Sequence, residues 1–303
     1  MSKPFRCAAD SVALAEPLAG TASTVRPFLL LEFPGPWGVD ALRDGRLPVD
    51  VAAELERRCA GLGVRPLLIR RHGRSRTDGI RCFAAYAHPE RPWLEATTLQ
   101  AVEEVLDVDI DRLSRGESPG LEEHGDPLFL VCTHGRHDAC CAELGRPIAA
   151  ALTASHPAQT WECSHIGGDR FAGNVLVLPD GLYYGRADRD SAPRIARTHL
   201  EGHLDLEHLR GRAGFGFATQ AAEWHLRRHL ELTGTGQVRL VEQHVRDDVT
   251  EVVLAVVDGA RWRVRIRTTR GAPHQLTCQS ERPRRAPQFE LVGLETHLSG
   301  ERA

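Results

Sequence analysis

The chain has 303 residues, 42% of them hydrophobic, with 38 basic and 41 acidic side chains and a formal net charge of −3. That balance excludes a mostly disordered chain and lacks the basic excess of a nonspecific nucleic-acid binder, and the length suits roughly two domains. No apolar run approaches the ~20 residues of a membrane span. Residues 1–15 carry Lys3, Arg6 and Asp10 and no apolar signal core, so a cytoplasmic protein is expected.

Residues 1–26 are small and polar without a clear period and are expected to form an extended lead-in. The run FLLLEF at 28–33, closed by Pro34-Gly35-Pro36, predicts a buried strand. Residues 49–59 have helical spacing and stop before Gly61 and Gly63. Strands are predicted at 66–69, 80–87 and 93–98, with 70–79 (RRHGRSRTDG) joining the first two and 70–76 read as a solvated hairpin tip, and a helix at 100–108. After a polar connector at 112–126 the order restarts. A strand at 128–132 (LFLVC) leads to a helix at 138–155 and to strands at 160–164, 174–178 and 182–186. Pro179-Asp180-Gly181 supplies a hairpin turn, and a helix follows at 191–204. Beyond residue 211 the pattern predicts a helix at 218–232 and strands at 251–257, 261–269 and 275–279. Within the second of these, RWRVRIRTTR places arginines on one strand face, read as the solvated face of an antiparallel sheet.

The fold class is therefore α/β. Two tandem thioredoxin-like β/α units are expected at 27–126, a degenerate one, and at 127–210, followed by a smaller α+β region at 211–303.

Eight cysteines in a reducing compartment point to metal or redox chemistry, not to a disulfide framework. Cys132, Cys140, Cys141 and Cys163 cluster in one stretch, whereas Cys7, Cys59, Cys82 and Cys278 read as ordinary small buried groups. The informative segments are CTHGRHDACC, from Cys132, and CSHIGGDRFAGN, from Cys163. A strand ending at Cys132 and a helix starting near Asp138, its expected cap, place Cys140 and Cys141 in the first helical turn. A thiolate is stabilised there. The second loop brings Cys163, His165 and Asp169, with two glycines to allow a tight bend. Spacing alone leaves four readings open: an iron–sulfur cluster, zinc, thiol redox chemistry and merely structural cysteines. The nine-residue separation of Cys132 and Cys141 disfavours short zinc hooks and suits a wider binuclear cluster. His134 and His137 read as solvated loop residues, and Phe171 and Asn174 as loop packing.

At FLVCTHGRHDACCAELGRP, WECSHIGGDRFAGNVLVLPDGLYYG and RPFLLLEFPGPWG the chain resembles the sucrase/ferredoxin-like proteins, relatives of the thioredoxin-like [2Fe–2S] ferredoxins and of the yeast actin patch distribution protein. The resemblance covers about residues 7–206. It implies a [2Fe–2S] cluster whose first two ligands map onto Cys132 and Cys141. The other two come from an H-x-G-G-H loop in the yeast-type members. Its first histidine maps onto His165 and its second falls on Asp169, a departure from the family pattern. Asp169 is then the first choice as fourth ligand, with Cys140 and Cys163 as alternates. No carboxylate pair supports glycoside hydrolysis. The resemblance implies a soluble electron carrier, not a stand-alone enzyme, working with an unknown reductase or acceptor protein and with neither membrane nor nucleic acid. Two alternatives stand beside it. One is a cluster-free thiol–disulfide protein using Cys132 and Cys141; the other is a non-catalytic binding protein that works through its C-terminal sheet.

Overall fold

A computed structural model describes residues 4–73 and 79–297; residues 74–78 of the expected hairpin loop lie outside the described residues. In chain order the elements are α1 (Cys7–Ala13), β1 (Pro27–Glu32), α2 (Val49–Leu62), β2 (Arg65–Arg70), β3 (Ile80–Tyr86) and β4 (Trp93–Leu99). A 3₁₀ turn at Val102–Asp107 precedes α3 (Ile110–Ser114) and β5 (Glu122–Glu123). The second half begins with β6 (Leu128–Cys132), α4 (Ala139–Ser155), β7 (Thr160–Cys163), β8 (Val175–Leu178), β9 (Leu182–Tyr184), α5 (Ser191–Leu200) and β10 (Leu209–Arg212). The C-terminal part contains α6 (Phe217–Leu230), β11 (Val238–Arg246), β12 (Val249–Val256), β13 (Arg261–Arg270) and β14 (Pro287–Thr296).

The first ten strands make one sheet in the order β10-β9-β8-β6-β7-β2-β1-β3-β4-β5. Its two halves repeat one topology. In the first, β1 lies parallel to β2 and antiparallel to β3, which pairs antiparallel with β4. In the second, β6 lies parallel to β7 and antiparallel to β8, which pairs antiparallel with β9. The two β/α units are therefore present, fused edge to edge through β2 and β7.

Alternation along the strands sorts the cores. Phe28 and Leu30 join Leu130, Cys132 and Trp161 on the face shared by both units, while Leu29 and Leu31 face the side covered by α2. Phe129 and Val131 face α4 and α5, where Ile148, Leu152 and Ile195 pack. Every residue of β6 is buried, as a strand covered on both faces requires.

The seam between the units is electrostatic as well as hydrogen-bonded. Glu162 on β7 is buried and lies 2.7 Å from Arg70 and 2.7 Å from Nδ1 of His72, while Thr133 Oγ1 donates to it at 2.8 Å. Arg71 donates to the carbonyls of Pro157, Ala158 and Thr160 and lies 3.7 Å over the Trp161 ring. Arg70, Arg71 and His72 are thus tied to the second unit, contrary to the expected solvated tip. Burial alone would raise the Glu162 pKa, but His72, Arg70 and Thr133 outweigh it and hold the carboxyl below its ordinary value. A lowered folded-state value stabilises fully above the ordinary carboxylate range, and the gain is lost as pH falls through the folded value. Glu162→Gln should therefore cost about 2 kcal/mol near neutrality and flatten the acid limb of a stability-versus-pH curve. Denaturant titrations from pH 7 to 3 measure both effects.

Three expectations of secondary structure are corrected. Residues 7–13, read as extended, form α1, whose Cys7, Ala8 and Ser11 are buried. Residues 275–279, read as a strand, are irregular, and the strands that flank this sheet are β11 and β14. The helix expected at 100–108 is a 3₁₀ turn followed by the short α3. In the C-terminal sheet, Val264 and Ile266 of β13 pack with Ala221, Ala222 and Leu226 of α6. Of the intervening arginines, Arg263 meets Glu251 at 3.1 Å, Arg265 meets Glu295 at 3.3 Å and Arg267 meets Asp248 at 3.3 Å.

Candidate metal centre

Cys132 ends β6, and its partner across the parallel pair is Cys163 at the end of β7. The loops that follow, 133–138 and 164–174, leave the sheet at the same end. The Asp138 carboxylate accepts from Cys140 N–H at 2.9 Å and so caps α4, as expected. Successive helix residues diverge by about 100°. Accordingly Cys141 joins the core cluster that contains Cys132, whereas Cys140 packs with Cys7 and Ala172.

One turn further on, Gly145 lets α4 lie directly on the end of β6. A Cβ there would stand 2.1 Å from the Cys132 carbonyl oxygen. Alanine would gain about 1 kcal/mol of helix propensity but must push helix and strand apart. Gly145→Ala is expected to lose about 2–3 kcal/mol net. It should also weaken metal retention, because Cys141 moves with the helix; thermal melts and metal content check the two effects.

The ligand atoms of Cys132, Cys141 and His165 lie within 4.8 Å of one another, and so do those of His137, His165 and Asp169. Asp169 joins the two groups. Its Oδ1 is 2.9 Å from His165 Nδ1 and 3.2 Å from Cys141 Sγ, which donates to it. The His165 Nδ1 atom is buried and, in spite of that short approach, is not aligned for a hydrogen bond. Two buried thiols and a buried carboxylate thus gather about one imidazole, in two overlapping groups that share His165. That donor set fits a metal group better than it fits a hydrogen-bonded protein interior.

The charges are strongly coupled. The adjacent Cys141 and His165 hold the Cys132 thiol well below its ordinary pKa against the cost of burial. The adjacent Cys132 sulfur and burial push Cys141 up. Burial opposes a charged His165, but Asp169 and Cys132 win and hold it up at about 9. The Asp169 carboxyl, also penalised by burial, is held down chiefly by His165.

Several supporting residues were hidden from sequence reasoning. His134 is 3% exposed, not solvated. Its Nε2 donates to the Gly38 carbonyl at 2.8 Å, and its Nδ1 accepts the His165 N–H at 3.2 Å, which fixes one neutral tautomer. It therefore ties both site loops to the loop after β1. His137 stacks on His165 with ring centroids 3.8 Å apart, and its Nε2 stands 4.0 Å from Asp169. The H-x-x-H spacing of His134 and His137 was the available signal. Arg210 on β10 is buried and donates to the Gly167 carbonyl and to Asn174 Oδ1, both at 2.9 Å. Asn174 in turn donates to the Gly168 carbonyl at 2.8 Å. Gly168 has φ +81°, and a Cβ there would lie 2.2 Å from the Arg210 guanidinium, so the loop needs glycine at this position. Nothing in the sequence marks Arg210 as a partner of this loop.

Of the two alternate ligands, Cys163 lies in the shared core beside Cys132 and outside either convergent group, and Cys140 belongs to a different thiol group described below. A cavity of about 300 Å³, lined by Asp40, Glu56, Arg65, His134, His137 and His165 among others, opens onto the histidine side of the site. The first unit thus supplies one wall of the approach. Among the described residues no helix is long and apolar enough to cross a membrane.

A family model described as sucrase/ferredoxin-like matches residues 18–211. Two fungal proteins named "Altered inheritance of mitochondria protein 32" are similar to this chain. The one from Meyerozyma guilliermondii is 32% identical over 98 residues, covering 28% of this chain and 34% of the relative. The one from Candida glabrata is 27% identical over 105 residues, covering 30% of this chain and 34% of the relative. The matched part thus spans about a third of the length of these relatives. No solved structure matches the chain significantly.

Proposed function

The chain belongs to the sucrase/ferredoxin-like family, and from that premise we propose that it is an electron-transfer protein whose [2Fe–2S] cluster is held by Cys132, Cys141, His165 and Asp169. The observation that carries this reading is that the ligand atoms of two buried thiols, Cys132 and Cys141, lie within 4.8 Å of those of His165, which the buried Asp169 carboxylate meets at 2.9 Å. When bound, the cluster supplies one-electron storage at a potential set by ligand charge and burial. Cys132 and Cys141 hold the inner side as thiolates and exclude water, both being about 1% exposed. His165 and Asp169 hold the outer side, and the partly exposed His165 is the edge nearest a redox partner. His134 fixes the peptide of His165 and Arg210 fixes the Gly167-Gly168 bend, so the ligand loop is set before the metal arrives. His137 stacks on one face of the His165 ring.

Iron and acid-labile sulfide analysis of protein purified under anaerobic conditions tests the proposal. Two of each per chain, with a brown colour, are expected. A colourless protein with zinc at this site in place of iron overturns it.

A second reading rests on the proximity of the Cys132 and Cys141 sulfurs, which lie within 4.8 Å of each other, as an attacking and a resolving thiol would. It requires a reversible Cys132–Cys141 disulfide and turnover of a dithiol substrate by iron-free protein.

A further inference from the structure

Cys7, Cys140 and Cys278 lie far apart in sequence and on three separate elements, yet their sulfurs form a triangle. The edges are 3.8 Å from Cys7 to Cys140, 3.4 Å from Cys140 to Cys278 and 3.5 Å from Cys278 to Cys7. All three are free thiols. Two thiolates on one tetrahedral zinc ion, each at about 2.3 Å, stand about 3.8 Å apart, so the triangle is close to the size that the ion sets. The fourth corner is Asp138. Its carboxylate is fully buried, and both oxygens stand 3.7 Å from Cys7 Sγ. Backbone N–H groups orient both oxygens: Cys140 donates to Oδ1 at 2.9 Å and Cys278 to Oδ2 at 2.7 Å. Such outer hydrogen bonds commonly hold a ligating carboxylate in place. The four ligand atoms lie within 4.8 Å of one another.

We propose that Cys7, Cys140, Cys278 and Asp138 form a second metal site, distinct from the Cys132–Cys141 centre, which binds one zinc ion. Three thiolates and one carboxylate complete a tetrahedral shell with no position left for water or substrate, so the site is structural. It staples three segments. α1 is held to α4 also by Arg6, which pairs with Glu143. The segment around Cys278 is held to the first site loop also by Gln279, which donates to the Arg136 carbonyl at 3.3 Å. The zinc thereby clamps both chain ends onto the first turn of the helix that carries Cys141. The irregular path of residues 275–279 follows from this use, because a strand would have kept Cys278 in the C-terminal sheet.

The test is metal analysis of the full chain together with its Cys7→Ser and Cys278→Ser variants, neither of which touches the Cys132–Cys141 centre. The wild type should hold one zinc per chain that a chelator removes slowly. Each variant should lose it, with zinc affinity falling about a hundredfold or more, while iron content and the visible spectrum stay as in the wild type. Cobalt replacement in a Cys132→Ser/Cys141→Ser background supplies a second readout. It should give sulfur-to-cobalt charge-transfer bands and tetrahedral d–d bands that vanish on adding Cys7→Ser. Absence of zinc from the wild type together with no uptake on titration overturns the proposal. So does a disulfide among the three cysteines in protein handled under reducing conditions. Because zinc and iron are counted separately, loss of either assignment leaves the other standing.

Discussion

Cys132→Ser is expected to give a folded but colourless protein, with iron reduced by more than about tenfold relative to the wild type. Cys132 is the last residue of a strand buried on both faces, so its sulfur cannot swing aside to be replaced by a neighbour. Cys163 is the nearest thiol along the sheet, but it lies outside the convergent groups and sits in the core formed with Leu130 and Trp161. Cys163→Ala is therefore the matched control. It should keep its iron and lose only about 1–2 kcal/mol of stability, the cost of a small buried void. Circular dichroism separates loss of metal from loss of fold. If Cys163→Ala loses its iron as completely as Cys132→Ser, the ligand assignment must move to Cys163.

Asp169→His is the second large effect. Aspartate brings a negative charge that histidine does not, and charge on the ligands disfavours the reduced cluster. Restoring a histidine at this position should raise the midpoint potential on the order of 100 mV, by analogy with the higher potentials of histidine-ligated centres. Asp169→Ala should instead lose metal, because it also removes the carboxylate that lies 2.9 Å from His165 and 3.2 Å from Cys141. Redox titration followed by visible absorbance reads the first variant and iron content the second. A lower potential in Asp169→His contradicts the assignment of Asp169 as a charged ligand.

Much of the second unit was legible because its signals are local. LFLVC is a buried strand by composition, Asp138 is a cap by type, and Pro179-Asp180-Gly181 closes a hairpin that pairs Val177 with Leu182. Tertiary contacts decided the remainder. β11 and β14 are the outer strands of the C-terminal sheet, and most of their residues are exposed or half-buried. A register shift interrupts each pairing, between Leu240 and Glu242 and between Arg265 and Ile266, which blurs the alternation that marks a strand. α1 has only 7 residues and is held by what it packs against, not by propensity. His134 sits in the polar run THGRH, yet it is buried because both ring nitrogens find partners. Cys7 and Cys278 read as ordinary buried cysteines because nothing in a linear spacing says that they meet at Cys140.

An electron-transfer role requires His165 and two thiolates to share one binuclear centre. The most direct test is electron–nuclear double resonance on the dithionite-reduced protein labelled with ¹⁵N-histidine. A spin-coupled [2Fe–2S]⁺ signal with strong coupling to the nitrogen of one imidazole is expected, with loss of that coupling in His165→Cys. A reduced cluster with no histidine coupling, or a protein that yields no paramagnetic iron signal at any potential, contradicts it.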